Sequence, residues 1–461
     1  MSDSPHAIIR RVGVMIDPQR VADLMAAEER RFADAHPRSA ELFARAQRSL
    51  LGGVPMNWMS KWPGGFPPFV DEAGGGHFTC VDGHDYVDFC LGDTGAMTGH
   101  APQETVEAMA VQARRGLTLM LPTEDAAWVG EELARRFGLP YWQFALTATD
   151  ANRFSLRLAR ELTGRRKILV FNYCYHGTVD ESFVTLRDGK EVVRPGNLGP
   201  PVDPALTTRV TEWNDIPAFE AALADGQVAA VLAEPVMTNI GIVHPEPGFH
   251  DAMRRITRQA GTLLIIDETH TICAGPGGYT GANGLEPDML VIGKPIAGGL
   301  PAAAYGFTDA VAAAIPAHIE LEQADLGGIG GTLAGNALSL AAMRATLGSV
   351  LTDEAYARSI PLAERWADGV ARAIERHGLP WHVTRLGCRA EYLFGATRPR
   401  NGSEAAALDN FALQRLTHLW ALNRGVLLTP FHNMALIAPQ ATEADVDRHT
   451  ALFDEMAAAL Q

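Results

Sequence analysis

Two short apolar runs, each closed by an ionisable residue, carry the chemistry of this chain. They lie in the stretch GTLLIIDETHTICAGPGGYTGANGLEPDMLVIGKPIAGGL, over 263–266 and 289–292. Each run is too short for a helix but suits a strand buried on both faces. Asp267 and Glu268 close the first and Lys294 closes the second. Open α/β sheets place their ligand crevices at the carboxyl ends of such strands. A lysine there is poorly solvated, which favours the neutral amine, the form that attacks a carbonyl. An aspartate at the neighbouring strand end can hold a cationic ring nitrogen. A Schiff-base lysine and an acidic partner for a pyridinium nitrogen are the two groups that pyridoxal phosphate needs. Taken singly, an aspartate at a strand end is more often a helix cap and a lysine there is usually solvated. The rest of the chain must decide.

The elements that would position these residues read as follows. Residues 1–50 look helical, with Pro18 starting one helix, Pro37 interrupting it and Gly52-Gly53 stopping a second that runs through Leu51. Strand alternation at Phe69-Val70 and over 77–90 is broken by Asp82-Gly83, a hairpin signal. From Ala101 helices and strands alternate. Helices are predicted over 104–115, 124–137, 150–163 and 216–223, and strands over 142–147, 167–171 and 228–233, then at the two runs above. Such alternation predicts a mostly parallel sheet covered on both faces, an α/β fold. The stretch 186–210, rich in Pro and charge, reads as a surface loop. Helices over 336–351 and 362–377 follow, and the tail returns to the opening layer. The expected division is 1–90 and 335–461 as two parts of a small discontinuous α+β domain, with 91–334 as a large cofactor-binding domain.

Bulk properties exclude several classes. At 461 residues the chain is long enough for more than one core. A formal charge of −15 argues against nucleic acid or an anionic membrane as partner. No apolar run approaches a bilayer span, and the first residues lack the apolar core of a signal peptide. Five scattered cysteines, odd in number and without CxxC spacing, point to reduced thiols in a cytoplasmic protein and to no metal site. No GxGxxG follows an early strand, which disfavours a Rossmann dehydrogenase.

Other candidates accompany the central pair. LTATDAN, over 146–152, joins a strand to a helix, and its small residues let helix N-terminal amides approach a phosphate. The same Thr-Asp pattern also serves as a plain N-cap. YCYHG, over 173–177, offers an aromatic that could stack on a planar ring or simply pack in a core. Glu234 ends a strand, where a carboxylate orients a cofactor or caps a loop. Gly330-Gly331-Thr332 offers a second phosphate nest.

The succession of these segments, with TDANRFSLRLARELTGRRKILVF, GTLLIIDE, GKPIAGGLPAAAYG and GGTLAGN, resembles class III pyridoxal-phosphate aminotransferases of fold type I. That group includes ω-transaminases, β-amino-acid transaminases and glutamate-1-semialdehyde aminomutase. The resemblance covers nearly the whole chain. It implies pyridoxal 5'-phosphate joined to Lys294, with Asp267 paired to the pyridine nitrogen and Tyr175 stacked on the ring. Ala148 and Thr149 would bind the phosphate, and Glu234 would sit near the ring. Thr332 would reach the phosphate of a partner subunit, so a homodimer is implied. The implied activity exchanges an amino group between an amine or non-α-amino acid and a keto acid or aldehyde. The alternative is an aminomutase of the glutamate-1-semialdehyde kind, acting within one molecule.

The chain departs from the family pattern in three places. Ser-Gly-Thr-Glu becomes Thr147-Ala148-Thr149-Asp150, which removes backbone freedom at the phosphate turn. Val-Met-Thr becomes Thr269-His270-Thr271, and His270 reads as a packing or loop residue sooner than as part of the substrate pocket. No arginine stands in TPFHNMALIAP or NWMSKW, where relatives hold a substrate carboxylate. Lys61 could substitute as a point charge. Arg398 and Arg400 are loop candidates, and Trp58, Met59 and Trp62 suggest an apolar wall or plain core packing.

Overall fold

The computed structural model of the protein describes residues 16–318 and 328–461. The first fifteen residues of the expected helical opening, and with them most of the segment searched for a signal peptide, lie outside the described residues. Asp17 caps the helix Pro18–Ala35, its Oδ1 accepting from the Gln19 amide at 2.9 Å, with Pro18 supplying a preset φ in the first turn. The second helix, Pro37–Ala46, ends before Leu51, which instead begins a short 3-10 turn.

Strands β1 (Val70–Gly74), β2 (His77–Cys80) and β3 (Asp85–Asp88) form antiparallel hairpins, the second turning at Gly83 with φ +82°. Next in the chain come β4 (Tyr141–Ala145), β5 (Lys167–Phe171), β6 (Val184–Arg187), β7 (Lys190–Val193) and β8 (Thr208–Thr211). They are followed by β9 (Val228–Ala233), β10 (Leu263–Asp267), β11 (Met289–Ile292) and β12 (Ala303–Phe307). Seven of these make the central sheet in the order β4-β12-β11-β10-β9-β5-β8. All neighbours in it are parallel except β12, which runs against both β11 and β4.

The runs chosen from the sequence are buried except at one end: every residue of β9 and β11 is sealed from water, and in β10 all but the half-buried Leu263. Both sheet faces carry a core. On one, Ile265 packs with Leu156 and Leu158; on the other, Leu264 and Ile266 pack with Phe249 and Met253. Alternation of side chains along β10 thus feeds two apolar layers. At roughly 1.5–3 kcal/mol for each fully buried aliphatic side chain, the layers fix the strand ends that carry Asp267 and Lys294.

Five parts of the chain differ from the sequence expectation. The stretch 186–210 is not one loop: it holds the rest of a β6-β7 hairpin, and β8, an edge strand of the central sheet. Helix Phe249–Ala260 goes beyond the sequence expectation, although Phe249, Ala252, Met253, Ile256 and Ala260 recur at helical spacing, while antiparallel β12 is defined by its pairing with β11 and β4. Helix Ala337–Ala345 passes into a π turn, Thr346–Val350. The helix expected from 362 begins at Asp353, capped by Thr352, and accommodates Pro361 inside it. Beyond it, β13 (His382–Leu386), β14 (Arg389–Leu393) and β16 (Met434–Leu436) make a three-stranded sheet, and β15 (Val426–Leu427) pairs parallel with β3. The opening and closing parts of the chain therefore share one sheet. Among the described residues, no helix is long and apolar enough to cross a membrane.

Candidate active site

Parallel pairing in register sets Asp267 beside Val291, so the ends of β10 and β11 open into the same space. A cleft of about 280 Å³ lies there, lined among others by Asp267, Lys294, Tyr175, Ala148, Thr149 and His270. Residues chosen from sequence positions more than a hundred apart thus converge on one cavity.

Lys294 begins a tight turn directly after β11 and Gly293, with φ +53°. Asp93 and Thr94, across the cleft, also have positive φ, at +50° and +82°. Such conformations are costly for residues with a Cβ and cluster where surrounding structure enforces them. The Lys294 Nζ lies 2.8 Å from the Asp93 carbonyl oxygen, 3.0 Å from Asp93 Oδ2 and 2.7 Å from His270 Nε2. Burial works against the charge on Asp93, yet Lys294, His270, His432 and Arg389 hold its carboxyl far below the usual range. The poorly solvated lysine expected from the sequence thus meets a carboxylate, Asp93, that the sequence reading did not name.

Asp267 is buried at the end of β10. Its Oδ2 accepts from Asn152 Nδ2 at 2.8 Å and meets His176 Nδ1 at 3.0 Å, while Oδ1 accepts from the Thr269 amide at 3.1 Å. Burial would raise its titration, but the His176 hydrogen bond and charge, with Thr269 and Asn152, outweigh it and keep the carboxylate ionised. An ionised carboxylate facing a cleft is what a pyridinium nitrogen requires.

Opposite stands the phosphate turn. Thr147 caps the helix Ala148–Thr163 by accepting from the Asp150 amide at 3.2 Å, and the amides of a first helical turn have no partners within the helix. Ala148 replaces the family glycine without distorting the turn. Its methyl faces Gly293, where an added Cβ would come within 3.1 Å of it. Thr149 Oγ1 accepts from the Thr178 amide at 3.0 Å. At Gly177, φ is +73° and a Cβ would stand 2.0 Å from Thr149 Oγ1, so only glycine keeps this corner open.

Trp58 packs 5.8 Å from Tyr175 and 5.4 Å from Phe431, ring centre to ring centre, forming an aromatic wall. Burial, and after it the Asp93 charge, raises the Tyr175 phenol to about 12, so it stays neutral. Lys61 is exposed, with Nζ 5.4 Å above the Phe431 ring, at the rim of this wall.

Several expectations are corrected. His270 is no mere packing or loop residue: it touches the Lys294 amine. Glu234 does not line the cleft. It is buried behind Tyr175, where its Oε1 accepts from the Tyr175 amide at 3.4 Å and its Oε2 accepts from Thr238. Arg398 is exposed and reaches only the Val383 carbonyl, at 3.5 Å, while Arg400 pairs with Glu246. Neither approaches Lys294. Met59 is exposed and Trp62 packs beside the Phe32 cluster, so only Trp58 of the three apolar-wall candidates borders the cleft. Thr332 is exposed and lies outside the cleft of its own chain.

Asp93, His176, Asn152 and Arg389 were missed. His176 and Asn152 sat inside segments already singled out. Arg389 and Glu391 alternate within an apolar strand, a signal of buried charge that the sequence does show. Asp93, 201 residues from Lys294 in the chain, leaves only a carboxylate after a hairpin.

The donor set fits pyridoxal phosphate. An ionised carboxylate, an amine, open helix amides and an aromatic surround one cleft, and the buried hydroxyl of Thr269, beside Asp267, has no partner of its own. Fold and site together define a pyridoxal-phosphate enzyme of fold type I. The class-III aminotransferase profile matches residues 59–452. The chain belongs to the class III aminotransferase family. A glutamate-1-semialdehyde 2,1-aminomutase of Chloroflexus aggregans is 34% identical over 445 residues, 93% of this chain and 99% of that one. A solved glutamate-1-semialdehyde aminomutase of Pseudomonas aeruginosa PAO1 is 54% identical, with a TM-score of 0.95 over 97% of this chain and 100% of that one, and its lysine-to-alanine variant was solved in complex with PMP. An omega-transaminase of Sphaerobacter thermophilus is 28% identical, with a TM-score of 0.82 over 92% and 97%.

Proposed function

We propose that this enzyme is a 2,1-aminomutase of the glutamate-1-semialdehyde kind, moving an amino group between neighbouring carbons of one substrate. The observation that carries the reading is the end-to-end match to the Pseudomonas aeruginosa aminomutase, far above the likeness to the omega-transaminase.

Pyridoxal phosphate supplies an aldehyde that takes up the amino group and a ring that accepts the electron pair of the substrate carbon. The chain supplies everything else. Lys294 Nζ would hold the cofactor and, once released from it, would carry a proton between the substrate carbon and the cofactor carbon that bears the transferred nitrogen, as base and then as acid. Asp267 keeps the ring nitrogen protonated. The first amides of the helix Ala148–Thr163, with the Thr149 hydroxyl, hold the phosphate. Trp58 and Tyr175, which line the cleft, would keep water from the transferred proton. Lys61, at the rim, is the cation within reach of a substrate carboxylate.

The active form in this reading is a homodimer, with Thr332 reaching the partner's phosphate. The exposed apolar run Leu119, Met120 and Leu121, at 45%, 77% and 74% exposure, supports a covered face.

A second reading, two-substrate transamination between an amine or non-α-amino acid and a keto acid or aldehyde, has one observation in its favour. Among the described residues lining the cleft there is no guanidinium to clamp a carboxylate. The enzyme in its aminated form, given glutamate-1-semialdehyde alone, is expected to release the 1-amino-2-keto isomer without added donor or acceptor. Amino transfer that requires a separate donor and acceptor, with no isomer formed, would replace the first reading with the second.

A further inference from the structure

Asp93 is a charge at the cleft that the reaction above leaves unused. It lies in the turn after β3, two residues before Gly95, which lines the cleft. Leu91, Asp93 and Thr94 all take positive φ there, at +43°, +50° and +82°. The Asp88 carboxylate pins the turn: its Oδ1 accepts from the Cys90 and Leu91 amides, both at 2.8 Å, and its Oδ2 meets His100 Nε2 at 2.7 Å. Backbone strain enforced in this way clusters where a side chain must be placed for a task.

The task legible here is to receive a primary amine. In the structure that amine is Lys294 Nζ, cradled by the Asp93 carbonyl at 2.8 Å, Asp93 Oδ2 at 3.0 Å and His270 Nε2 at 2.7 Å. Asp93 Oδ1, the other carboxylate oxygen, is buried with no hydrogen-bond partner among the described residues. The carboxyl is held in its ionised form by Lys294, His270, His432 and Arg389. A carboxylate so placed calls for a cation that also donates hydrogen bonds. Nζ cannot stand in two places, however. When it turns to hold the cofactor, the cradle is left without its amine.

A 2,1-aminomutase has a second amine to put there. Glutamate-1-semialdehyde carries an amino group on the carbon next to its aldehyde. In the first half of the exchange the aldehyde carbon gains the amino group of the aminated cofactor and is reduced, its oxygen leaving as water. The cofactor carbon is oxidised to the aldehyde in the same exchange. The substrate then bears two neighbouring amino groups, Lys294 is free to hold the cofactor again, and the diamine is kept in the cleft by non-covalent contacts alone. The second half reverses these steps at the other amino group and takes the water back.

We infer that Asp93 is the specificity-determining residue of this cleft: it binds the substrate ammonium beside the reacting carbon, in the place that Lys294 Nζ vacates. The inference rests on the aminomutase reading and names what sets that substrate apart from an aldehyde or keto acid with no neighbouring amine. Like charge keeps the substrate carboxylate away from Asp93, and Lys61 at the rim offers the opposite pole.

The test compares two aldehydes on the enzyme in its aminated form: glutamate-1-semialdehyde, and 5-oxopentanoate, which has the same chain without the amino group. Amino transfer to each is followed by the first rise of the visible band. Asp93→Asn, a substitution of nearly equal size, should cut the preference for the amino aldehyde, read as the ratio of the two second-order rate constants, by roughly tenfold or more. General damage to the site slows both aldehydes alike, and an unchanged ratio overturns the proposal. A second arm needs no change at Asp93. Lys294→Ala loaded with pyridoxamine phosphate leaves the cradle vacant, and calorimetry should show 4-aminopentanoate binding roughly tenfold or more tighter than pentanoate. Equal binding of the two overturns the proposal whether or not Asp93→Asn folds. Failure of the aminomutase reading looks different: the unaltered protein then forms no isomer from glutamate-1-semialdehyde, while the calorimetric comparison still judges Asp93. If isomer forms and Asp93→Asn leaves the ratio as it was, only the role of Asp93 is lost.

Discussion

Asp267 Oδ2 stands 3.0 Å from His176 Nδ1, and the two side chains, at 5% and 0% exposure, are sealed together beneath the cleft. Burial lowers the imidazole, but Cys174 and the hydrogen bond and charge of Asp267 outweigh it and raise His176 to about 10. Asp267 is shifted down and His176 up, so the pair is ionic at neutral pH. Its aspartate part contributes stability above the unfolded value of about 4 and loses it as pH falls through the lowered native value. Its histidine part is complete below the unfolded value of about 6.5 and fades as pH rises through the raised one. The difference in Tm between wild type and Asp267→Asn should therefore be largest between about pH 4 and 6.5 and shrink on both sides. Within that window the variant should lose about 1–3 kcal/mol. Turnover should fall on the order of a hundredfold or more, since a neutral amide no longer keeps the cofactor ring protonated. A Tm difference flat from pH 3 to 10 would refute the ionic pair.

Lys294→Ala removes the one amine among the described residues lining the cleft. The visible band of the cofactor-loaded enzyme and turnover should vanish together. The fold should persist, because His270 and Arg389 remain beside the Asp93 carboxylate. Absorbance and steady-state assays on the same preparation decide it, and residual amino transfer at wild-type rate would remove Lys294 from its role.

Gly177→Ala should leave the fold intact and damage the phosphate corner. A methyl there meets the Thr149 hydroxyl at 2.0 Å on a backbone with φ +73°. Strain of about 1–3 kcal/mol corresponds to roughly tenfold to a hundredfold weaker cofactor binding. Titration of stripped protein with pyridoxal phosphate measures it. Unchanged affinity would mean that Thr149 does not border the phosphate.

Trp58→Ala and Arg398→Ala form a contrasted pair. Loss of the Trp58 contacts with Tyr175 and Phe431 should raise KM about threefold to tenfold, at ~0.5–1.5 kcal/mol for such aromatic contacts. Arg398→Ala should leave both kcat and KM unchanged, because its guanidinium is in solvent and reaches only a carbonyl. A rise in KM for the arginine variant would restore it as a carboxylate clamp.

Sequence alone pointed to the inner strands of the sheet, the cofactor class and the two strand-end residues Asp267 and Lys294, for a local reason. Strands buried on both faces must be continuous apolar runs, so β9, β10 and β11 announce themselves, and the residues that end them are known with the strands. The phosphate turn is equally local, since a strand, small residues and a helix start stand in succession. Strands whose burial depends on a partner were not legible: β8 is held as an edge by β5, and β12 runs antiparallel between β4 and β11. Charge partnerships across the molecule were hidden for the same reason. Asp93, His270 and Arg389 come from three separate elements, and no spacing in the chain relates them. Only the folded sheets bring Asp93 and His270 to within hydrogen-bond distance of Lys294 Nζ, and Arg389 to within that distance of His270, where low polarity gives each contact its effect.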